Sequence, residues 1–360
     1  DNTSTQFDGT IGGAGTSNLV KSGSGTFTLT ANNTYAGTTT ISGGSLVVSG
    51  SGAKIGNNTG AIAVGPNRLD INNSANIGNP VGITNGTVGA SNGSGTLSGS
   101  LTLTGDATLA VSGTGTGLTV GGAIAQSGGT RALSVDAGSG AVTLTANNTY
   151  DGTTTINSGT LVVSGVGAKV GNDTGVIAVG ANRLEVNNGA SLGNPVTIGS
   201  GTVRTSNGSG TLSGSITLSG DATAAVGGTG TALTIAGAMA QSGGTRALTV
   251  DAGTGTVTLT ANNTYDGTTT VSSGTLVVSG TVAKVGNDTG AIAVGANRLD
   301  VNSGANLGNP VTVSTGILGN SAGAGTIAGA VTTSAAAKLQ STGGGIGLTL
   351  GDIGGTGTIT

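Results

Sequence analysis

The 360-residue chain contains no cysteine, histidine or tryptophan, and aromatic residues make up only 1% of it. Without cysteine, disulfide bonds cannot contribute to its stability. Without histidine or cysteine, the chain has neither a classical catalytic triad nor a usual zinc site. Because large aromatic side chains are scarce, the interior must be narrow and lined by small aliphatic side chains.

Charge and long apolar runs are also scarce. Charged residues account for 7% of the chain, and the formal net charge is -3. Such a chain offers neither a basic face for phosphate groups nor aromatic platforms for stacking bases, so we predict no nucleic-acid partner. No apolar run of about 20 residues is present to form a membrane-spanning helix.

What the sequence does contain is 75 glycines and an internal repeat. The segment Ala31–Tyr35 returns as Ala146–Tyr150 and again as Ala261–Tyr265, an offset of 115 residues (31 to 146 to 261). Stacked copies extend a surface, which favours a scaffold over an enzyme with one pocket. The repeat predicts one continuous solenoid that consists of a lead-in coil (1–27), repeat 1 (28–142), repeat 2 (143–257) and repeat 3 (258–360, divergent after about residue 311).

Within each copy, short alternating runs are separated by Gly, Asn and Ser. Runs such as Val142–Thr145, Arg183–Val186 and Leu248–Val250 place aliphatic residues on one strand face and threonine or charge on the other. We predict an all-β fold, a parallel β-helix (β-solenoid) with three tandem repeats. Coils of roughly 20 to 25 residues would give about five coils, or about 24 Å, per repeat. A string of immunoglobulin-like sandwiches is the alternative, although sandwich cores usually contain larger side chains and often an aromatic anchor.

One stretch carries a family resemblance. Gly255–Leu276 resembles the passenger-associated repeat of autotransporter proteins, and similar copies begin near Gly25 and Ser139. The resemblance implies a right-handed parallel β-helix that is exported across an outer membrane and displayed at, or released from, the cell surface. Family members also carry a C-terminal translocator barrel, whose long amphipathic strands we do not find in these 360 residues. Either the barrel lies beyond residue 360 or this protein uses the repeat without it, and we expect contact with the outer membrane only through a translocator not present in this chain.

Charged residues recur at a fixed place in each copy. In Arg68-Leu69-Asp70 the two charges lie two residues apart, so both should point outward while the leucine points inward. We interpret this pair as a surface ion pair; the functional alternative is a binding stripe. The same pattern occurs at Arg183-Leu184-Glu185 and at Arg298-Leu299-Asp300.

The other acidic positions also suit structural roles better than catalytic or metal-binding ones. Asp173 and Asp288, with Asn58 in the first copy, occupy Gly-Asn-Asp-Thr-Gly-like segments that we assign to turns rather than to calcium loops. Repeated acids would lie about 24 Å from their copies, too far for a glycosidase-type carboxylate pair. We therefore predict a non-enzymatic chain with no catalytic residue, no cofactor and no metal. The remaining charged landmarks are Asp106, Asp221 and the pairs Arg131/Asp136 and Arg246/Asp251.

The three tyrosines, Tyr35, Tyr150 and Tyr265, occupy one repeat position. We interpret them as residues that cover one corner of the core and bond to the turn, and we keep possible surface contacts as the alternative. Pairs of the form Thr-x-Thr, such as Thr28/Thr30 and Thr143/Thr145, are spaced irregularly and suit ordinary exposed strand positions better than an ice-binding face.

Taken together, these features predict an extracellular structural or adhesive β-solenoid, a stalk or adhesin segment at the cell surface. Its partner would be an unknown host or cell-surface ligand. The alternative is a protomer of a self-assembling extracellular filament, in which copies associate end to end or laterally because open coil ends expose unpaired strand edges.

Overall fold

The computed structural model describes residues 2–13, 16–113, 116–228, 231–342 and 347–360. The chain divides into two compact units, Asp1–Ala178 and Val179–Thr360. The described residues of both units form strands joined by turns and contain no helix. Strands such as Leu101–Leu103 alternate buried leucines with a more exposed threonine, the period-two pattern that predicted them.

The strands of the first unit are short, apart from the last two of the series. They are β1 (Thr5–Phe7), β2 (Leu19–Lys21), β3 (Thr26–Leu29), β4 (Thr39–Ile41), β5 (Ser45–Ser49), β6 (Ile62–Val64), β7 (Arg68–Asn72), β8 (Ala75–Ile77), β9 (Val81–Ile83), β10 (Thr87–Ala90), β11 (Ser94–Leu97), β12 (Leu101–Leu103), β13 (Ala107–Val111), β14 (Gly117–Val120), β15 (Ile124–Gln126), β16 (Leu133–Leu144) and β17 (Thr154–Ser164). Strand β18 (Ile177–Gly180) contains the boundary between the units.

The second unit has the same character. Its strands are β19 (Arg183–Asn187), β20 (Ala190–Leu192), β21 (Val196–Ile198), β22 (Thr202–Thr205), β23 (Ser209–Leu212), β24 (Ile216–Leu218), β25 (Ala222–Val226), β26 (Ala232–Ile235), β27 (Met239–Gln241), β28 (Leu248–Leu259), β29 (Thr269–Ser279), β30 (Ile292–Gly295), β31 (Arg298–Asn302), β32 (Asn306–Leu307), β33 (Val311–Val313), β34 (Ile317–Asn320), β35 (Gly325–Ile327), β36 (Val331–Thr333), β37 (Lys338–Ser341), β38 (Leu348–Leu350) and β39 (Ile353–Gly355).

In the first unit, parallel pairing stacks these strands into three columns. Column A contains β2, β4, β6, β9, β12 and β15. Column B contains β3, β5, β7, β10, β13 and the first part of β16. Column C contains β8, β11, β14 and the second part of β16. From Ile62 onward each coil contributes one strand to each column, whereas the described residues of the earlier coils, those of β2/β3 and β4/β5, form no strand in column C; the stacking confirms the predicted parallel β-solenoid.

The second unit repeats this arrangement. Column D contains β19, β22, β25, the first parts of β28 and β29, then β30, β33, β36 and β39. Column E contains β20, β23, β26, the second parts of β28 and β29, then β31, β34 and β37. Further parallel ladders join β21, β24 and β27, and β32, β35 and β38.

The columns show that one repeat is not a whole number of coils. Strand β3 lies in column B, but its sequence equivalent, residues 141–144, lies in column C. Five coil steps along column B lead from β3 to Leu133–Asp136, one strand position before the equivalent residues. The predicted length of about five coils per repeat is therefore too short by one strand position. In the second unit, likewise, β19 lies in column D and its equivalent β31 in column E.

The interior is a thin aliphatic column. Leu46, Leu69, Val88, Leu109 and Val135 follow one another in register along column B, and each is fully buried or almost so. Removing each such side chain from water contributes about 1.5 to 3 kcal/mol. The inward side chains are small because the coil is narrow, and this confirms the interior expected from the lack of aromatic residues.

The second asparagine of the repeated Ala-Asn-Asn-Thr-Tyr segment bridges three coils. The side chain of Asn148 accepts a hydrogen bond from the backbone N–H of Ile124 (2.8 Å) and donates to the carbonyl of Lys169 (2.6 Å). Asn263 makes the same two bonds to Met239 (2.8 Å) and Lys284 (2.6 Å). Because these amides are buried, each bond satisfies a backbone group at a corner where the strand ladder is interrupted.

Candidate binding surface

The three tyrosines lie inside the solenoid. Tyr35 is 2% exposed, and Tyr150 and Tyr265 are fully buried. The hydroxyl of Tyr150 shares a hydrogen bond of 2.7 Å with the Thr154 hydroxyl, and Tyr35 and Tyr265 pair in the same way with Thr39 and Thr269. The alternative of surface contacts at these positions is therefore wrong, and their burial with a bonded hydroxyl agrees with the interpretation that they cover the core. Packing over the aliphatic corner removes the large aromatic ring from water, and this is favourable provided that the tyrosine hydroxyl finds a hydrogen-bond partner.

Burial also changes the chemistry of these hydroxyls. Removal from water raises the pKa of Tyr150 and Tyr265 well above its usual range, and the hydrogen bonds shared with Thr154 and Thr269 only partly oppose this effect. Burial raises the pKa of Tyr35 in the same direction. The neutral phenol is thus the form that the folded chain accommodates.

The Arg-Leu-Asp strand has the predicted facing but not the predicted exposure. Leu69 is fully buried, which confirms that it points inward. Asp70, however, is only 4% exposed, so its interpretation as part of a surface ion pair is wrong. Arg68 Nε donates to both carboxylate oxygens of Asp70 (2.8 and 2.9 Å) and shields it from water. The neighbouring coil presents Gly89 beside this pair, where a Cβ would crowd both side chains.

The third copy repeats this closed pair, and the second does not. Arg298 Nε lies 2.7 Å from Asp300 Oδ1, and Arg298 Nη1 also bonds to Gln340. In the second copy, Arg183 Nη1 lies 3.8 Å from Glu185 Oε1, beyond hydrogen-bond reach. Since β19 and β31 occupy different columns, these positions do not form the binding stripe that was the functional alternative.

The Gly-Asn-Asp-Thr-Gly segments are turns. Asn58, Asp173 and Asp288 all have a positive φ, at 68°, 69° and 69°. Asn and Asp tolerate this region better than most side chains, so the turn assignment is confirmed. Asp173 and Asp288 also form ion pairs with Lys169 and Lys284. Within the described residues, no group of three or more metal-ligating side chains comes together.

The remaining charged landmarks bind their own turns. Asp106 and Asp221 accept hydrogen bonds from the backbone N–H groups of Ala132 (2.9 Å) and Ala247 (3.0 Å). Arg131 donates to the carbonyl of Gly128 (2.6 Å), and Arg246 likewise donates to that of Gly243 (2.7 Å). These groups stabilise loops.

The threonine pairs do not build a regular face. In register, Thr28 is followed by Val47, and Thr143 by Val162. A continuous ladder of hydroxyls is therefore interrupted at these positions, which confirms the interpretation of the threonines as ordinary strand residues.

Two shallow grooves were not predicted from the sequence. One, with a volume of about 550 Å³, lies over Ala63, Gly65 and Gly82 in the first copy. The other, of about 290 Å³, lies over the equivalent Ala293, Gly295 and Thr312 in the third. The first groove is larger where glycine replaces threonine. Both are lined by uncharged residues.

Comparison with known proteins finds a matching family and a similar protein. Residues 19–48, 135–163 and 250–278 match the family described as Passenger-associated-transport-repeat. The chain is 30% identical over 268 residues to the Adhesin BmaC autotransporter of Brucella suis biovar 1 (strain 1330). The chain is an autotransporter passenger β-helix protein. The alignment covers 70% of this passenger chain but 7% of the length of that relative, and no solved structure matches the chain. In the described part of the passenger, no helix is long and apolar enough to span a bilayer.

Proposed function

We propose that this passenger chain is a non-enzymatic structural and adhesive element that is exported and held at, or released from, the cell surface. The observation that supports this most is the combination of three passenger repeats with similarity to a protein named as an adhesin. A parallel solenoid suits the role mechanically. Its strand ladders stiffen each unit, while the aliphatic column provides cohesion without disulfides or metals.

The surface supports recognition rather than catalysis. The carboxylates of Asp106 and Asp221 bind backbone groups of turns, and those of Asp70 and Asp300 are paired with arginines. With these partners, none of the four is left as the free acid or base that glycoside hydrolysis requires.

The columns add a geometric reason for adhesion. Because a repeat exceeds five coils by one strand position, equivalent outward patches lie in different columns of a unit, such as β19 in column D and β31 in column E. Whichever of these sides the unit turns to a ligand-bearing surface, it presents one copy of the patch.

The adhesive role is tested with beads that carry the purified 360-residue chain. We expect these beads to attach to host cells more often than beads coated with albumin. A matched control is the Leu184→Asp variant, which retains the surface residues but places a charge in the core. Equal attachment by all three bead types would refute the adhesive role. Hydrolysis of a polysaccharide by the purified chain would refute the non-enzymatic one.

A further inference from the structure

The second copy differs from the other two at a pair of positions that face each other on adjacent coils. Where the first and third copies have Asp70 with Gly89 and Asp300 with Gly319, the second has Glu185 with Arg204. A glycine has thus been replaced by a second arginine beside an acidic residue.

A third position changes with them. The guanidinium of Arg204 extends over Gly227, where a Cβ would overlap its Nη2 atom. The equivalent residues in the other copies are Ser112 and Thr342, both of which have a Cβ. The room for the Arg204 side chain therefore exists in the second copy alone among the three.

The charges of this cluster, which we call the Arg183/Arg204 site, are poorly matched within the chain. Glu185 uses its Oε2 to accept hydrogen bonds from Ser206 Oγ (2.6 Å) and Asn187 Nδ2 (3.4 Å). Its Oε1 lies 3.8 Å from Arg183 Nη1 and 3.9 Å from Arg204 Nε, too far for a hydrogen bond. Two guanidinium groups thus share one carboxylate.

One donor at the Arg183/Arg204 site is left without a partner. Arg204 Nε is buried and, among the described residues, has no hydrogen-bond acceptor. The closed pairs of the other copies contrast with this, since Arg68 and Arg298 bring their Nε within 2.9 Å of a carboxylate oxygen. Because Nε itself is covered, a ligand would meet the exposed part of the Arg204 side chain, where no carboxylate of the described residues lies within hydrogen-bond distance of the guanidinium Nε as Asp70 does for Arg68.

The next acid along the same outward row does not neutralise the cluster. Arg204 is in register with Ala225, and Ala225 with Asp251. Asp251 is therefore two strand spacings away, about 10 Å. It already accepts a hydrogen bond from Ser273 Oγ (2.5 Å).

We propose that Arg183 and Arg204 together bind the carboxylate of an acidic saccharide. The planar guanidinium fork matches a carboxylate in two parallel hydrogen bonds, and both side chains reach solvent, with 45% and 30% of their surface exposed. This inference rests on the proposed adhesive function, and it names the class of ligand that one part of the surface recognises.

The surroundings favour a saccharide over other anions. The Ser206 hydroxyl lies beside the arginines and is only partly buried; it donates to Glu185 and can accept a hydrogen bond from a sugar hydroxyl. The surplus is a single positive charge on a chain of net charge -3, which suits one carboxylate and disfavours a dense polyanion such as nucleic acid.

Calorimetric titration of the full chain tests the proposal. The probe is an oligosaccharide of alternating glucuronate and N-acetylglucosamine, and its carboxyl-reduced form is the neutral comparison. Arg204→Gly introduces the residue that the other copies tolerate, so it should preserve the fold. Arg246→Gln, an arginine that bonds to its own loop, is the matched control.

We expect the wild-type chain and Arg246→Gln to bind the acidic oligosaccharide equally, and Arg204→Gly to bind it at least about 10-fold more weakly, the loss typical of one charge-assisted hydrogen bond. Binding should weaken as salt is added. Equal affinity for the neutral form, unchanged affinity in Arg204→Gly, or no binding by wild type would overturn the proposal.

The bead assay separates this inference from the proposed function. If Arg204→Gly beads still attach to cells while the acidic oligosaccharide does not bind wild type, the inference fails and the adhesive role stands. If wild-type beads do not attach but the oligosaccharide binds through Arg204, the adhesive role fails and the Arg183/Arg204 site stands.

Discussion

Alkaline pH should destabilise this protein through its buried tyrosines. In the unfolded chain a tyrosine loses its proton near pH 10. In the folded chain burial raises the pKa of Tyr150 and Tyr265 far above that value, and raises that of Tyr35 in the same direction. The folded state therefore holds protons that the unfolded state releases. The contribution is fully present below about pH 10 and is lost as the pH rises above it.

The size of the effect follows from the linkage relation. At pH 11, one unit above the pKa in the unfolded chain, each fully buried tyrosine lowers the free energy of unfolding by about 1.4 kcal/mol. Tyr150 and Tyr265 together should thus remove about 3 kcal/mol between pH 8 and pH 11. Lysines titrate in the same range, so the effect must be isolated with a variant.

The double variant Tyr150→Phe/Tyr265→Phe supplies that comparison. At pH 8 it should be about 2 kcal/mol less stable than wild type, because Thr154 and Thr269 each lose a buried partner. By pH 11 this difference should have shrunk or reversed, since phenylalanine cannot ionise. Denaturant unfolding followed by circular dichroism from pH 8 to pH 11 measures both proteins. A difference that stays constant over this range would refute the reasoning.

Four further outcomes are expected. Leu184→Asp should lower the melting temperature sharply because it places an unpaired charge in the core; near-native melting would contradict the inward facing. Arg183→Ala should lower the free energy of unfolding by less than about 1 kcal/mol because its ion pair is long and exposed. Arg68→Ala should lower it by about 1 to 3 kcal/mol because Asp70 would be buried without its arginine. Equal losses in denaturant titrations would contradict this. Ser74→Gly should stabilise by roughly 1 kcal/mol, since Ser74 has a φ of 66°; a lower unfolding midpoint would count against it. If the chain is the protomer of a filament, the apparent molecular mass measured by light scattering should rise with protein concentration. A mass that stays constant would argue for separate chains.

The fold was predictable because it rests on local and repetitive signals. Alternation of aliphatic and polar residues located the strands, as in Leu101–Leu103, and the scarcity of aromatic residues fixed a thin core. The inward leucines Leu69, Leu184 and Leu299 followed from the period of two. Positive φ at Asp173 and Asp288 followed from residue type at a turn.

The exposure of individual side chains was not predictable in the same way. Whether Tyr150 lies outside or inside depends on the corner formed by neighbouring coils, and the burial of Asp70 depends on the glycine at position 89 of the next coil. The three-coil bridge made by Asn148 is likewise invisible until coils are stacked. Comparison of the copies did contain one usable signal: the exchange of Gly89 and Gly319 for Arg204 beside a longer acid.

The 115-residue repeat exceeds five coils by one strand position, and this offset decides which equivalent surfaces face the same way. The chain has no cysteine, so engineered pairs test it without background. Thr119 and Thr143 are register partners in column C, whereas Thr108 lies in column B and pairs with Ser134. Stacking by whole coils would instead place Thr108 beside Ala141, the equivalent of Thr26. Under mild oxidation, we expect a disulfide in Thr119→Cys/Thr143→Cys and none in Thr108→Cys/Ala141→Cys; the reverse result would contradict the offset.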